Sequence, residues 1–582
     1  MPQLDFRDTF YLAPEIVLAV AGLVVLLVDV SLFRRRTSAE RQRFIGGLSM
    51  LGALAALLAA LVPILIRNDV YGAQGWLNYA GSDTLSHPDP VLFFGTIAGD
   101  VMTELFNLLL VVLLALVFRM SMAWEFTENW GEYFALLFWS TVGMMLLIAS
   151  EDLLTLFLTL EMMTICLYLC TAFEKGARRS AEAGLKYFIY GSVSSALFLF
   201  GLSLIYGLTG SMQFQSIRQV IKPEHAPLSG LSGDVAGGMA LLLLMVGFGF
   251  KIAAVPFHQW APDAYEGAPA PVTAWVATGS KIASFVALMK VLLNALGPWS
   301  NSMESVATPG WIGLVAVLAA ASMTFGNFAA LAQRNLKRML AYSSIAHAGY
   351  MLVGVAAAGV SARREEAAGS VLFYLVIYAF SNVGAFAVAA WLARDCGRDD
   401  IDDLDGLGYQ SPALATCILL LMLSLIGMPP LAGFFGKLYM FMEGLDENTP
   451  GRLTLMWLVA LGLLNSVISA FYYVRVLKVM FLRKRARPPL APATSAISLP
   501  IILATVVVVA FGLYPAPLMG LMKGAGVAML SSSGSNSGRD YLQVGPGATS
   551  PTSSAGGNGT RPPGMEKTPP EPTPVPVPSR TP

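Results

Sequence analysis

Charge is scarce in this chain: Asp, Glu, Lys and Arg make up 13% of its 582 residues, where a soluble domain carries about 25%. Hydrophobic residues reach 55% and the mean hydropathy is +0.63, so the composition predicts a polytopic membrane protein. Net charge is also lacking, with 37 basic side chains against 37 acidic ones, which argues against a nucleic-acid binder. Cysteine and histidine are rare, at four each. Cys166 and Cys170 stand four apart in one apolar run, while Cys396 and Cys417 are isolated. That spacing excludes a disulfide framework and leaves small packing residues. No CxxC, P-loop, Gly-rich dinucleotide loop or His-rich metal motif is present. A redox cofactor would therefore have to lie on another chain. The N-terminus, MPQLDFRDTFYLAPE, has no basic leader, so no cleaved signal peptide is expected.

What the chain has in quantity is long apolar runs. A membrane-spanning helix needs about 20 such residues. Runs of that kind occur at 14–33, 44–66, 101–120, 131–149, 152–173, 183–208, 237–259, 270–296, 310–332, 336–358, 368–393, 413–443, 453–482 and 497–523. Backbone groups in lipid must be satisfied within the segment, so the runs predict about 14 transmembrane helices and an all-α fold. Every second connection is basic: Arg34, Arg35, Arg36, Arg41 and Arg43; Lys175, Arg178 and Arg179; Arg334, Lys337 and Arg338; Arg483, Lys484, Arg485 and Arg487. The alternation predicts cytoplasmic placement of those connections and puts both termini outside. From about Ser531 to Pro582 the chain turns rich in Pro, Gly, Ser and Thr, which predicts a disordered tail.

Four of the charges inside the runs have no flanking interface to escape to. Lys251 lies in LLLLMVGFGFKIAAVPF, Lys281 in VTAWVATGSKIASFVALM, Lys437 in LIGMPPLAGFFGKLYMF and Glu161 in LLTLFLTLEMMTICLYLC. A charge at mid-membrane costs several kcal/mol, so such residues face an internal cavity and mark ion or proton paths. The seventh and twelfth runs share a texture, GFGFKIAAVP against MPPLAGFFGK, and lie an odd number of spans apart. That pattern predicts two inverted five-helix repeats whose helices 7 and 12 are discontinuous. Pro429 and Pro430 remove two backbone donors where the second break is expected.

Burial disfavours an ammonium ion and a nearby carboxylate restores it. Glu161 with Lys251 is the natural switching pair; Lys281 could receive the proton and Lys437 pass it towards one surface. The plainer reading makes each lysine a structural ion pair or an interface anchor. Snorkelling to the interface is expected of Lys290 and Lys478, near span ends. Lys186 either links the path to the cytoplasm or anchors the interface with Arg178 and Arg179. His347, beside Ser343, Ser344 and Tyr350, is either a relay or a satisfied core histidine. His258 is expected to fix a loop, and Asp263 and Glu266 to be turn or interface groups. His87 and His225 fall in loops and carry no signal. The 27 methionines and 32 phenylalanines read as packing and lipid-facing residues, so no quinone site is assigned from them.

The segments PFHQWAPDAYEGAPAPVTAWVATGSKIASFVAL, LAQRNLKRMLAYSSIAHAGYMLVG and LAGFFGKLYMF resemble the antiporter-like membrane subunits of respiratory complex I. YEGAPAPVTA, and a lysine rather than a glutamate at 437, resemble the N-type subfamily. The resemblance implies proton translocation driven by NADH oxidation and quinone reduction, with NADH, FMN, iron–sulfur clusters and quinone bound on other subunits. It implies neighbouring M-type and small K membrane subunits and a bacterial inner membrane. It places the family's fifth-span glutamate at Glu161 and its lysines at Lys251, Lys281 and Lys437. The expected division is 1–130 for helices 1–3, 131–296 and 310–487 for the repeats, 497–530 for a last helix and 531–582 for the tail. A cation/proton antiporter or energy-converting hydrogenase subunit shares the same spans and lysines and stays open.

Overall fold

The computed structural model describes residues 6–33, 35–65, 91–221, 235–300, 310–361, 363–445, 452–484 and 490–531. The expected disordered tail beyond Ser531, His87 and His225 lie outside the described residues. Among the described residues, thirteen helices are long and apolar enough to cross a membrane. They include α1 (Ala13–Val28), α2 (Ser38–Ala59), α3 (Val101–Ser121), α4 (Trp130–Ala149), α5 (Leu153–Thr171), α6 (Arg178–Thr209) and α7 (Val235–Ile252). After a short α8 (Trp260–Gly267) come α9 (Ala270–Met289), α10 (Trp311–Leu331), α11 (Leu336–Val360) and α12 (Arg364–Cys396). The twelfth span is split into α13 (Pro412–Ile426) and α14 (Ala432–Glu443), followed by α15 (Arg452–Leu482), α16 (Ser495–Leu513) and α17 (Ala516–Ser531). The chain is an all-α polytopic membrane protein.

Burial sorts the helices into a centre and a rim. α12 and the span that begins with α9 are wholly buried over their apolar windows, and α11 nearly so. α1, α2, α5 and α6 instead show outward rows of large apolar side chains, such as Leu154, Leu158, Met162, Ile165 and Leu169 on α5. Such rows suit contact with lipid or a partner helix. Polar side chains in the centre must therefore be satisfied by one another or by backbone.

The seventh run does not continue to residue 259. α7 ends at Ile252, and Ala253 takes a positive φ of 58°. Three donors tidy this break: Ala254 N bonds Gly249 O at 2.8 Å, Ser322 Oγ accepts from Val255 N at 2.9 Å, and the Trp260 indole donates to Phe250 O at 3.0 Å. At the second break α13 ends on Gly427, with φ of 90°. A Cβ there would stand 3.1 Å from Lys437 Cδ, so conformation and space both call for glycine. The last run also differs from expectation. It is two helices rather than one, because Tyr514 leaves helical geometry ahead of Pro515.

A candidate proton path of buried lysines

Lys251 sits in the last turn of α7, where the apolar run carries it into the protein; its side chain is 3% exposed. Its ammonium donates to Thr164 Oγ1 at 2.8 Å and lies 3.9 Å from Glu161 Oε1. Glu161 is less buried than the sequence predicts, with 24% of its side chain exposed. The reason is position: α5 turns its outer face away from the bundle, and Glu161 stands at the edge of that face. Ser195 of α6 donates to Glu161 Oε1 at 2.5 Å, so one oxygen serves both the hydroxyl and the ammonium.

Lys281 enters from α9 and finds no carboxylate. It donates to Ser344 O at 2.7 Å and Ser344 Oγ at 2.5 Å, and Tyr378 also donates to that hydroxyl at 2.9 Å. One turn along α11 from Ser344 is His347, fully buried. Its Nδ1 is 2.5 Å from Tyr374 Oη and its Nε2 is 3.2 Å from Tyr473 Oη. Its ring lies 5.4 Å from that of Tyr378 and 5.6 Å from that of Tyr350. Lys437 of α14 places its ammonium 4.7 Å from the Tyr350 ring centre. It bonds Leu425 O at 3.1 Å, Ile426 O at 2.8 Å and Ser466 Oγ at 3.1 Å. A thread of hydrogen bonds from Lys281 to Ser344 and Tyr378, continued by ring contacts through His347 and Tyr350, thus reaches Lys437 across α9, α11, α12 and α14. From Lys251 a run of rings, Tyr168, Tyr187, Trp260 and Tyr265, leads to the same Ser344.

Tyr350 is held by Asn327 of α10, whose amide donates to Tyr350 Oη at 3.0 Å and to Asn465 Oδ1 at 3.2 Å. Tyr472 donates back to Asn327 Oδ1 at 3.0 Å. The sequence reading did not pick out Tyr374, Tyr378 or Tyr473. Tyr374 and Tyr378 are four apart in VLFYLVIYAF, one face of a helix, and that spacing inside an apolar run was the available signal.

Other expectations need correction or placing. Lys290 does not snorkel. It is fully buried, pairs with Glu151 at 2.7 Å and donates to Ile148 O and Ser150 O. The apolar end of its span is covered by protein rather than open to an interface. Lys478 is exposed. Lys186 is 40% exposed at its side chain and lies 2.8 Å from both Glu182 and Asp263. Arg338 closes the cluster at 2.7 Å from Asp263 and 2.9 Å from Glu266. Lys186, Asp263 and Glu266 therefore belong to one clasp among α6, α8 and α11, apart from the buried lysines. His258 lies in the first break, 4.5 Å from the Phe325 ring. Among the described residues, no group of three or more His, Cys, Asp or Glu is placed to hold a metal ion.

Residues 150–469 match the family model described as NADH:quinone oxidoreductase/Mrp antiporter, transmembrane. The chain is 39% identical over 492 residues to the NADH-quinone oxidoreductase subunit N 2 of Acidobacterium capsulatum, covering 84% of this chain and 93% of that one. A chain of respiratory complex I from Thermus thermophilus is similar at 30% identity and a TM-score of 0.66, over 87% of this chain and 98% of that one. A chain of the Mrp complex from Dietzia shares the fold, with a TM-score of 0.71 at 20% identity, over 90% of this chain and 97% of that one. Its buried lysines, its broken seventh and twelfth spans and its likeness over most of its length agree: the chain belongs to the NADH:quinone oxidoreductase/Mrp antiporter transmembrane family, among the N subunits of NADH-quinone oxidoreductase.

Proposed function

We propose that this chain is the proton-translocating, antiporter-like membrane subunit of an NADH-quinone oxidoreductase, and that Glu161, Lys251, Lys281, His347 and Lys437 carry the proton. The observation that supports this best is the thread from Lys281 through Ser344 and His347 to Lys437, which runs through the most buried helices of the protein. Buried amines and an imidazole within reach of hydroxyls are groups that take up and release protons in turn. Glu161 acts on Lys251 by charge: approach of the carboxylate favours the ammonium and retreat favours the amine. With Ser195 holding the same oxygen, a small shift between α5 and α6 changes that distance. Lys281 then takes the proton, and Ser344, Tyr378 and His347 hand it towards Lys437. Lys186 stays outside the path, in its surface clasp.

The redox chemistry, with NADH, FMN, iron–sulfur clusters and quinone, belongs to other subunits of the complex. The other membrane subunits are its partners, with M-type and small K subunits as the neighbours we infer. Inverted repeats over 131–296 and 310–487, an inner-membrane location and periplasmic termini complete the reading. Two lysines beside the two helix breaks support the repeats, and the alternation of basic connections supports the orientation. The antiporter alternative is weaker, because relatives at 37–39% identity carry the subunit N name while the Mrp likeness is one of fold.

The test is Lys251→Ala and Lys437→Ala in the assembled complex, with NADH-driven proton pumping and quinone reduction measured together. Loss of pumping in both is expected. Undiminished protons per electron with intact assembly would sink the assignment.

A further inference from the structure

A second buried polar site lies far from the lysines in sequence, at the start of α1. Glu15, in the first turn of α1, is 4% exposed. Its Oε1 accepts from Asn107 Nδ2 of α3 at 2.8 Å, and its Oε2 has no partner. Asn107 Oδ1 and Thr103 Oγ1 are likewise buried without a partner. All three residues line one cavity of about 10 Å³, closed by Leu92, Ile97 and Ala149. That is about the room one water molecule needs.

Among the described residues that line the cavity, Tyr11, Glu15 and Glu104 are the titratable ones. Asp100, fully buried, stands one turn before Glu104 and caps α3 by accepting from Thr103 N at 2.7 Å. Carboxylates that share a buried space cannot all ionise cheaply. Asp100 Oδ1 is fixed as an acceptor by its cap and Asp100 does not line the cavity, whereas Glu15 Oε2 is an unpartnered carboxyl oxygen on it, beside Asn107 Oδ1 and Thr103 Oγ1. We propose that Glu15, with Asn107, Thr103 and one water, forms a reversible proton-binding site separate from the lysine thread. The hydrogen bonding fits both states. With Glu15 ionised, the water donates to Oε2 and to Asn107 Oδ1 and accepts from Thr103. With Glu15 protonated, Oε2–H donates to the water, which donates to Asn107 Oδ1 and to Thr103 Oγ1.

The experiment is infrared spectroscopy of the whole purified complex, wild type against Glu15→Gln, through a pH titration. A carboxylic C=O band that is sensitive to deuterium, titrates with pH and is lost in Glu15→Gln is expected. Carboxylate bands alone in the difference spectrum, at every pH, overturn the proposal. A band that bleaches on adding sodium at fixed pH also overturns it, because the ligand is then a cation. If Glu15→Gln fails to assemble, Asn107→Leu replaces it. Losing the amide donor should shift the band to the frequency of a freer C=O, and an unmoved band removes Glu15 as its source. The readout does not depend on pumping, so it succeeds or fails apart from the reading of the lysines.

Discussion

The two helix breaks place a lysine beside freed backbone carbonyls, and they settle those carbonyls in opposite ways. At the first break Trp260 takes Phe250 O, which leaves Lys251 to Thr164 and the charge of Glu161. At the second no indole intervenes, and Lys437 itself bonds Leu425 O and Ile426 O. The first lysine faces a carboxylate 3.9 Å away; the second is bound to the end of a helix. Similar residues at similar breaks thus meet different partners. The backbone follows suit, with Ala253 holding the positive φ in one and Gly427 in the other.

The largest effect that sharpens this contrast is expected from methionine in place of each lysine. Lys437→Met should abolish pumping and also loosen α13, since Leu425 O loses its donor while Ile426 O keeps Ser466, and a buried carbonyl left unpaired costs about 1–3 kcal/mol. Lys251→Met should abolish pumping with little loss of stability. Pumping assays paired with hydrogen exchange across 413–443 check this, and equal exchange in the two variants would break the comparison. Next comes the backbone pair. Gly427→Ala places a Cβ at a φ of 90° against Lys437 and should cost about 1–2 kcal/mol or more. Ala253→Gly should leave stability unchanged or raised, as thermal unfolding would report. Glu161→Gln keeps an oxygen for Ser195 but removes the charge; pumping should fall several-fold while α13 exchanges as in wild type. Trp260→Phe removes one of the two donors to Phe250 O, which keeps Ala253 N at 3.1 Å, and should cost about 0.5–1.5 kcal/mol; a thermal unfolding curve matching wild type would count against it.

The smallest effect concerns pH at the α6–α8–α11 clasp. Burial raises the Asp263 carboxyl, but hydrogen bonds from Lys186 and Arg338 outweigh it and hold the group below its ordinary range. A depressed value means its contribution is complete above the unfolded value of about 3.9 and is lost as pH falls through the folded one. Exchange of α8 amides, corrected for intrinsic rate, should therefore rise below about pH 4 in wild type and show no such step in Asp263→Asn.

Much of the fold was legible because lipid imposes one rule: a run long enough to span must be a helix. Among the described residues thirteen helices are long enough to span, and the break at Pro429 and Pro430 lies where two donors are missing. The end of α7 was less visible, since Ala253 is no breaker by type and only its φ marks the turn. Lys251, Lys281 and Lys437 stood out because a charge in an apolar run is costly wherever it faces. Most of their partners did not, because Thr164, Tyr374 and Tyr378 are ordinary in a helix until a neighbouring span delivers a lysine or histidine to them. Lys290 misled for a related reason: a lysine near a span end suits an interface until another element covers it, as Glu151 does here.

Counting hydrogens gives the bonds of Lys437 a further meaning. Its ammonium has three to give and three acceptors take them, Leu425 O, Ile426 O and Ser466 Oγ. The neutral amine has two hydrogens and a lone pair. When the proton leaves, one acceptor must be released, and Ser466 alone can reverse its role by turning its hydroxyl towards the amine. That turn withdraws Ser466 from Ile426 O, which it also meets at 3.2 Å. Emptying the site thus loosens the grip on the last carbonyls of α13. If Lys437 carries the proton as proposed, occupancy by a single proton sets the tightness of a latch between two halves of one span.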